Sequence, residues 1–115
     1  MDFDEYQAKS RTTASPYIDA CDKQEVPAFF YSGLGLAGEG GEIANNLKKI
    51  IRDDGGVVTG DRRLALTKEL GDVLWYVANL ATDIGVSLSF VASENLVRLA
   101  DRAARGVIRG SGDNR

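Results

Sequence analysis

The chain has no histidine and one cysteine, Cys21. The missing histidine removes the commonest transition-metal ligand, and with a single thiol any metal must be held by carboxylate, amide or carbonyl oxygens, which points to Mg²⁺ or Mn²⁺. One cysteine also excludes an intramolecular disulfide and suits a reducing compartment. No apolar stretch approaches membrane-spanning length, and Met1-Asp2-Phe3-Asp4-Glu5 has neither the basic start nor the apolar run of a signal peptide, so the expectation is a cytoplasmic protein with no membrane partner. Positive charge is not in excess either. Fourteen basic residues against 17 acidic ones leave a net −3, which argues against duplex nucleic acid as the main ligand. What remains is material for one modest domain spanning 1–115: 115 residues, 43% hydrophobic, with a single core. A chain this short leaves apolar surface that it cannot easily cover alone, so a homo-oligomer is expected.

No segment alternates as a strand, and the apolar period is helical, which predicts an all-α fold of four helices. The first starts at Asp2, capped with Glu5 three residues on, and stops before Ser15-Pro16, because the residue preceding proline avoids the α region. Residues 1–25 are read as this helix and a linker. The second begins near Pro27 and runs through Phe29, Phe30, Leu34, Leu36, Ile43, Leu47, Ile50 and Ile51 to Asp53-Asp54-Gly55-Gly56. The third, with Asp61 as its expected N-cap, carries Leu66, Leu70, Val73, Leu74, Val77, Leu80 and Ile84 before Gly85. Ser87 caps the fourth, which holds Leu88, Val91, Leu96 and Leu99 to about Arg105. A polar tail, 106–115, closes the chain.

Two acid pairs stand inside these otherwise apolar and small-residue segments: Glu39 with Glu42, and Glu69 with Asp72. A separation of three residues puts both side chains on one flank of a helix, where one ion can meet both. At 100° per residue, Glu39, Glu42, Asn46, Lys49 and Asp53 run along one edge of the core face of the second helix. Glu69, Asp72, Tyr76, Asn79 and Asp83 do the same on the third. An acid pair at this spacing is ordinarily a solvated face. Like charges there repel by about 0.2–0.5 kcal/mol, however, so structure alone gives no reason to repeat the arrangement on both helices at the core edge. If the two central helices pack antiparallel in a four-helix bundle, the acids converge across a cleft. Trp75 and Ala78 lie on the other side of the third helix, which is then apolar nearly all round and calls for a partner subunit over Trp75.

Gly33, Gly35, Gly38, Gly40 and Gly41 crowd one helix at about 0.8–1 kcal/mol each relative to alanine. For Gly33 and Gly35 the expected reason is close helix packing, and Gly40 and Gly41 flank the acids. Gly33-x-Gly35-x-x-Gly38 also matches a dinucleotide fingerprint, but that motif needs a preceding strand that is not predicted here.

Glu39-x-x-Glu42, 26 residues, then Glu69-x-x-Asp72 resembles the E-x-x-E…E-x-x-D signature of the all-α nucleoside triphosphate pyrophosphohydrolases of the MazG-like superfamily. The likeness extends through Gly35–Ala44, Lys48-Lys49 with Arg52-Asp53, Glu69–Tyr76, and Asn95-Leu96 followed by Asp101-Arg102, as in short single-domain members. It covers residues 26 to 115. Some branches carry a further acid just before the first motif glutamate, where this chain has Gly38, so a base assigned to that acid does not carry over.

The resemblance implies Mg²⁺-dependent hydrolysis of a (deoxy)nucleoside triphosphate to the monophosphate and pyrophosphate, in control or house-cleaning of the nucleotide pool. Glu39, Glu42, Glu69 and Asp72 would hold the metal, Mn²⁺ being a possible substitute, with Glu39 or Glu42 as general base. Lys49, Arg98 and Arg102 are the candidate phosphate contacts, and Tyr76 and Asn95 the candidates for sugar or base. The family likeness also implies a homodimer or dimer of dimers with sites near subunit boundaries. The rival reading is a non-catalytic helical module that binds nucleotides, or an adaptor whose acid stripe meets a basic partner.

Overall fold

The computed structural model describes residues 1–115 as five helices and no strand: α1 (Phe3–Arg11), α2 (Ser15–Lys23), α3 (Ala28–Asp53), α4 (Gly60–Asp83) and α5 (Leu88–Ala104). The all-α expectation holds, but the count is five because part of the expected linker is helical. α1 ends at Arg11, short of Ser15-Pro16, and that dipeptide opens α2. Proline is disfavoured after a helical residue, yet its missing N–H is harmless in a first turn, where it stands in α2. The apolar period of α2 then does the rest: Ala14, Tyr17 and Cys21 are buried and form a small core with Ile18, Ala28 and Trp75 against them.

The helix ends follow local chemistry. Asp2 Oδ1 accepts from the Glu5 N–H at 2.8 Å while Glu5 Oε2 accepts from the Asp2 N–H at 2.9 Å, a closed capping box at the head of α1. Ser87 Oγ accepts from the Phe90 N–H at 3.1 Å at the head of α5. α4 corrects its expected cap: Thr59 Oγ1 accepts from the Arg62 N–H at 3.2 Å, and Asp61 falls inside the first turn, where its charge complements the helix dipole. Between α3 and α4 the chain turns through Gly55 and Gly56 at φ 62° and 78°. Arg62 Nε then donates to Asp54 Oδ2 at 2.7 Å across the turn.

α3 and α4 make the most extensive pairing in the molecule, and α1 and α2 lie on its flank. α5 turns away from α4 by 100° and packs on α1 and α4, so a hairpin with three flanking helices replaces the expected four-helix bundle. The Gln7 side chain fastens this corner, donating to Thr82 Oγ1 at 3.0 Å and Val86 O at 2.9 Å and accepting from the Leu88 N–H at 2.7 Å. No single helix is long and apolar enough to cross a membrane.

Trp75 is half-buried by the chain's own N-terminal segment, with Nε1 donating to Thr13 Oγ1 at 2.9 Å and the ring edge-on to Tyr17, and Ala78 is fully buried. The surface left bare lies elsewhere. Leu47, Ile51 and Ile84, expected in the core, are exposed, as are Leu34, Leu70, Leu96 and Val97. With 11 of 115 residues buried, the single chain has a thin core. Its radius of gyration of 17.2 Å exceeds the about 13 Å of a close-packed domain of this length.

Candidate metal centre

Glu39 comes from the middle of α3, and Glu69 and Asp72 come from the facing stretch of α4. Each offers a carboxylate oxygen, and the three oxygens lie within 4.8 Å of one another. Glu39 and Glu69 are half-buried and Asp72 is exposed. Burial, the charges of Asp72 and Glu69, a hydrogen bond to Glu69 and the charge of Glu42 all hold the Glu39 carboxyl above the usual carboxylate range. Acids brought this close without a counter-charge make ionisation of Glu39 harder. A divalent ion removes the same conflict. Opposite oxygens around Mg²⁺ stand about 4.2 Å apart, so modest side-chain rotations close the observed triangle on a cation with hard oxygen donors.

Glu42 lies outside the three-oxygen group and is exposed, one turn along α3, although its charge is felt at Glu39. Tyr76 does join the acids. Burial, the adjoining Tyr31, and the charges of Glu39 and Asp72 raise its phenol pKa. Its ring lies against Gly35 so closely that a Cβ there would stand 2.6 Å from Cδ1. The close packing expected of Gly35 is therefore present, whereas Gly33, Gly38, Gly40 and Gly41 have nothing within 4 Å of the position a Cβ would take.

The expected phosphate contacts do not gather here. Lys49 stands ten residues from Glu39, about 15 Å along α3, and its charge acts on Asp53, a carboxyl held low chiefly by its hydrogen bond to Arg52. Asn95 and Arg98 are exposed on α5. Arg102 is buried against the tail, 3.9 Å from Asp113 Oδ1. Asp72 lies eleven residues from the end of α4 and Arg98 ten residues into α5, so with a 100° turn between them their backbones stand roughly 20 Å apart. Sequence reasoning missed two tyrosines. Tyr6 of α1 comes near enough for Asp72 to raise its pKa, after burial. Tyr31 touches Tyr76, and its one legible signal is its place eight residues before Glu39, on the same flank of α3.

Residues 33–106 match the family model described as the MazG nucleotide pyrophosphohydrolase domain. The "Gene 37 protein" of Mycobacterium phage L5 is 50% identical over 115 residues, covering all of both chains. No solved structure matches.

Proposed function

Because the chain belongs to the MazG nucleotide pyrophosphohydrolase family, we propose that it hydrolyses a (deoxy)nucleoside triphosphate to the monophosphate and pyrophosphate, in a nucleotide-pool or house-cleaning role. The observation that carries this reading is the triangle of Glu39, Glu69 and Asp72, with the raised pKa of its central member. These three would hold Mg²⁺, or Mn²⁺ in its place. A bound divalent cation supplies neutralisation of the polyphosphate charge and a lowered pKa for the attacking water. Glu42, outside the triangle, is the better placed of the two candidate bases to take the water's proton, and Glu39 the better placed to act as ligand. Tyr76, packed against Gly35, forms the wall next to the acids.

The cations for the outer phosphates come from a second copy in this reading. Arg98 is too far from the acids of its own chain and Arg102 is buried against the tail, so the exposed Arg98 of α5 serves the site of a partner in a homodimer or dimer of dimers. The exposed apolar side chains and the large radius of gyration support such an assembly.

The test is pyrophosphate release from a panel of nucleoside triphosphates with Mg²⁺ or Mn²⁺, comparing wild type with Glu39→Gln and Asp72→Asn. The expected result is turnover by the wild type and a loss of at least about 100-fold in both variants, with folding retained. A folded, metal-binding protein that releases no pyrophosphate from any nucleotide would point to the non-catalytic module instead.

A further inference from the structure

Four aromatic rings, Tyr17, Tyr31, Trp75 and Tyr76, form a connected cluster where α2, α3 and α4 meet, and Tyr76 joins it to the acids. Tyr17 and Tyr31 stack face to face with centroids 4.9 Å apart and planes 1° from parallel. Trp75 meets Tyr17 edge-on at 6.0 Å and Tyr76 at 5.0 Å. The two halves of the stack have opposite surroundings. Tyr17 is 4% exposed and its hydroxyl is held from inside, donating to Asp83 Oδ2 at 2.9 Å and accepting from Arg11 Nη1 at 2.8 Å. Tyr31 is 46% exposed, with one ring face resting on Tyr17. A ring positioned this firmly and left this bare is a stacking surface with one side vacant.

Its place relative to the acids suits one occupant. Tyr31 is eight residues before Glu39, about 12 Å along α3, on the same flank of the helix. Tyr76 lies between the two, touching Tyr31 and feeling the charge of Glu39. The span is of the order of a sugar and a base laid end to end from a phosphate held at the acids. Tyr31 also lines a cavity of 210 Å³ whose other walls include Cys21, Val26, Phe30 and Leu34, with Gln24 as its one polar side chain. An apolar slot with an aromatic face and a single amide matches a flat heterocycle with a hydrogen-bonding edge.

We propose that Tyr31 is the platform on which the nucleobase of the substrate stacks, backed by Tyr17 of α2, with Gln24 at the rim to meet the polar edge of the base. Substrate selection then resides largely in residues 1–32, ahead of the family match that begins at residue 33. This rests on the pyrophosphohydrolase reading and adds to it the residues that grip the nucleoside.

The experiment is steady-state kinetics of the full chain on the four canonical deoxynucleoside triphosphates and on an abasic deoxyribose triphosphate. Wild type, Tyr31→Ala, Tyr31→Trp and Gln24→Leu are compared, with nucleotide binding followed in parallel by Trp75 fluorescence and assembly size by sedimentation. Tyr31→Ala should raise KM and the binding constant for nucleotides roughly ten-fold or more while kcat stays within about three-fold. The abasic substrate should be indifferent to the change, Tyr31→Trp should restore the wild-type KM, and Gln24→Leu should alter the ranking among bases. An unchanged KM in Tyr31→Ala, or an equal loss with the abasic triphosphate, overturns the proposal. So does a shift in assembly size that accounts for the loss, since Tyr31 would then be covered by a second copy. A wild type that binds nucleotides without cleaving them defeats the enzymatic reading alone, and the platform is then judged on binding. A wild type that neither binds nor cleaves any nucleotide overturns both.

Discussion

The Glu39 carboxyl holds its proton to higher pH than an isolated glutamate does, because burial and the charges of Asp72 and Glu69 oppose its ionisation. The folded chain therefore binds this proton more tightly than the unfolded chain. The corresponding stability is fully present below the ordinary glutamate pKa and is lost as pH rises through the raised folded value. Glu39→Gln, which cannot ionise, should then melt higher than wild type in EDTA at about pH 7, with the gap closing at about pH 4. Thermal melts across that range check it, and added Mn²⁺ should stabilise wild type and leave the variant unmoved. In the proposed function the same substitution lowers turnover by at least about 100-fold, so a gain in apo stability would accompany a loss of activity. Gly35 is the other informative residue. A methyl group there meets the Tyr76 ring, and Gly35→Ala should destabilise by about 1–3 kcal/mol, with part of the loss recovered when Tyr76→Ala is added. Urea unfolding of the two single variants and the double variant measures this coupling.

Among the elements, α1 and α2 owe their position to one buried acid. The Asp83 side chain is 1% exposed and is reached by Arg11 Nη1 at 2.7 Å, Tyr17 at 2.9 Å and Ser32 Oγ at 2.7 Å, so α1, α2, α3 and α4 meet at one carboxylate. Asn79 joins them, its Oδ1 accepting from Arg11 at 3.2 Å. Burial, and next the bond to Asp83, pushes the Tyr17 phenol up to about 12, so it stays a donor across the working range of pH. Removing one partner of such a buried pair strands the other. Asp83→Ala should cost about 3–5 kcal/mol, with the amides of α1 and α2 the first to lose protection in hydrogen exchange. In sequence, Asn79 and Asp83 continue the edge that begins with Glu69 and Asp72. Periodicity places all four on one stripe, but it does not say that the near end meets α3 across a cleft while the far end is sealed by helices from the N-terminus.

For the whole molecule, the core is thin and Ile51, Leu70, Leu96 and Val97 are exposed, so the single chain buries little apolar surface. Sedimentation at micromolar concentration should give a dimer or a dimer of dimers. A monomer would defeat both the oligomer and the assignment of Arg98 to a partner's site. If α5 does reach across, mixing Glu39→Gln with Arg98→Ala chains should restore activity to about a quarter of the wild-type sites in a randomly assorted dimer, since only mixed dimers hold one intact site. Activity of the mixture no higher than that of the separate variants overturns the shared site.

Sequence alone determined the helical class, the start of α1, the ends of α3 and α5, the absence of histidine as a metal ligand, and the pairing of acids on two helices. All of these are local: a cap, a left-handed glycine, a 3.6-residue period or a missing residue type acts within a turn or two of chain. Tertiary structure decided what depends on contacts distant in sequence. It separates Glu42 from the other three acids, sends α5 off at 100° with its arginines, and brings the N-terminal segment against Trp75. Ser15-Pro16 shows the boundary between the two. Local sterics keep a helix from running on through the dipeptide, but whether residues 15–23 then form a linker or a helix depended on a place for Tyr17 and Cys21 to be buried, and α3 and α4 provide it.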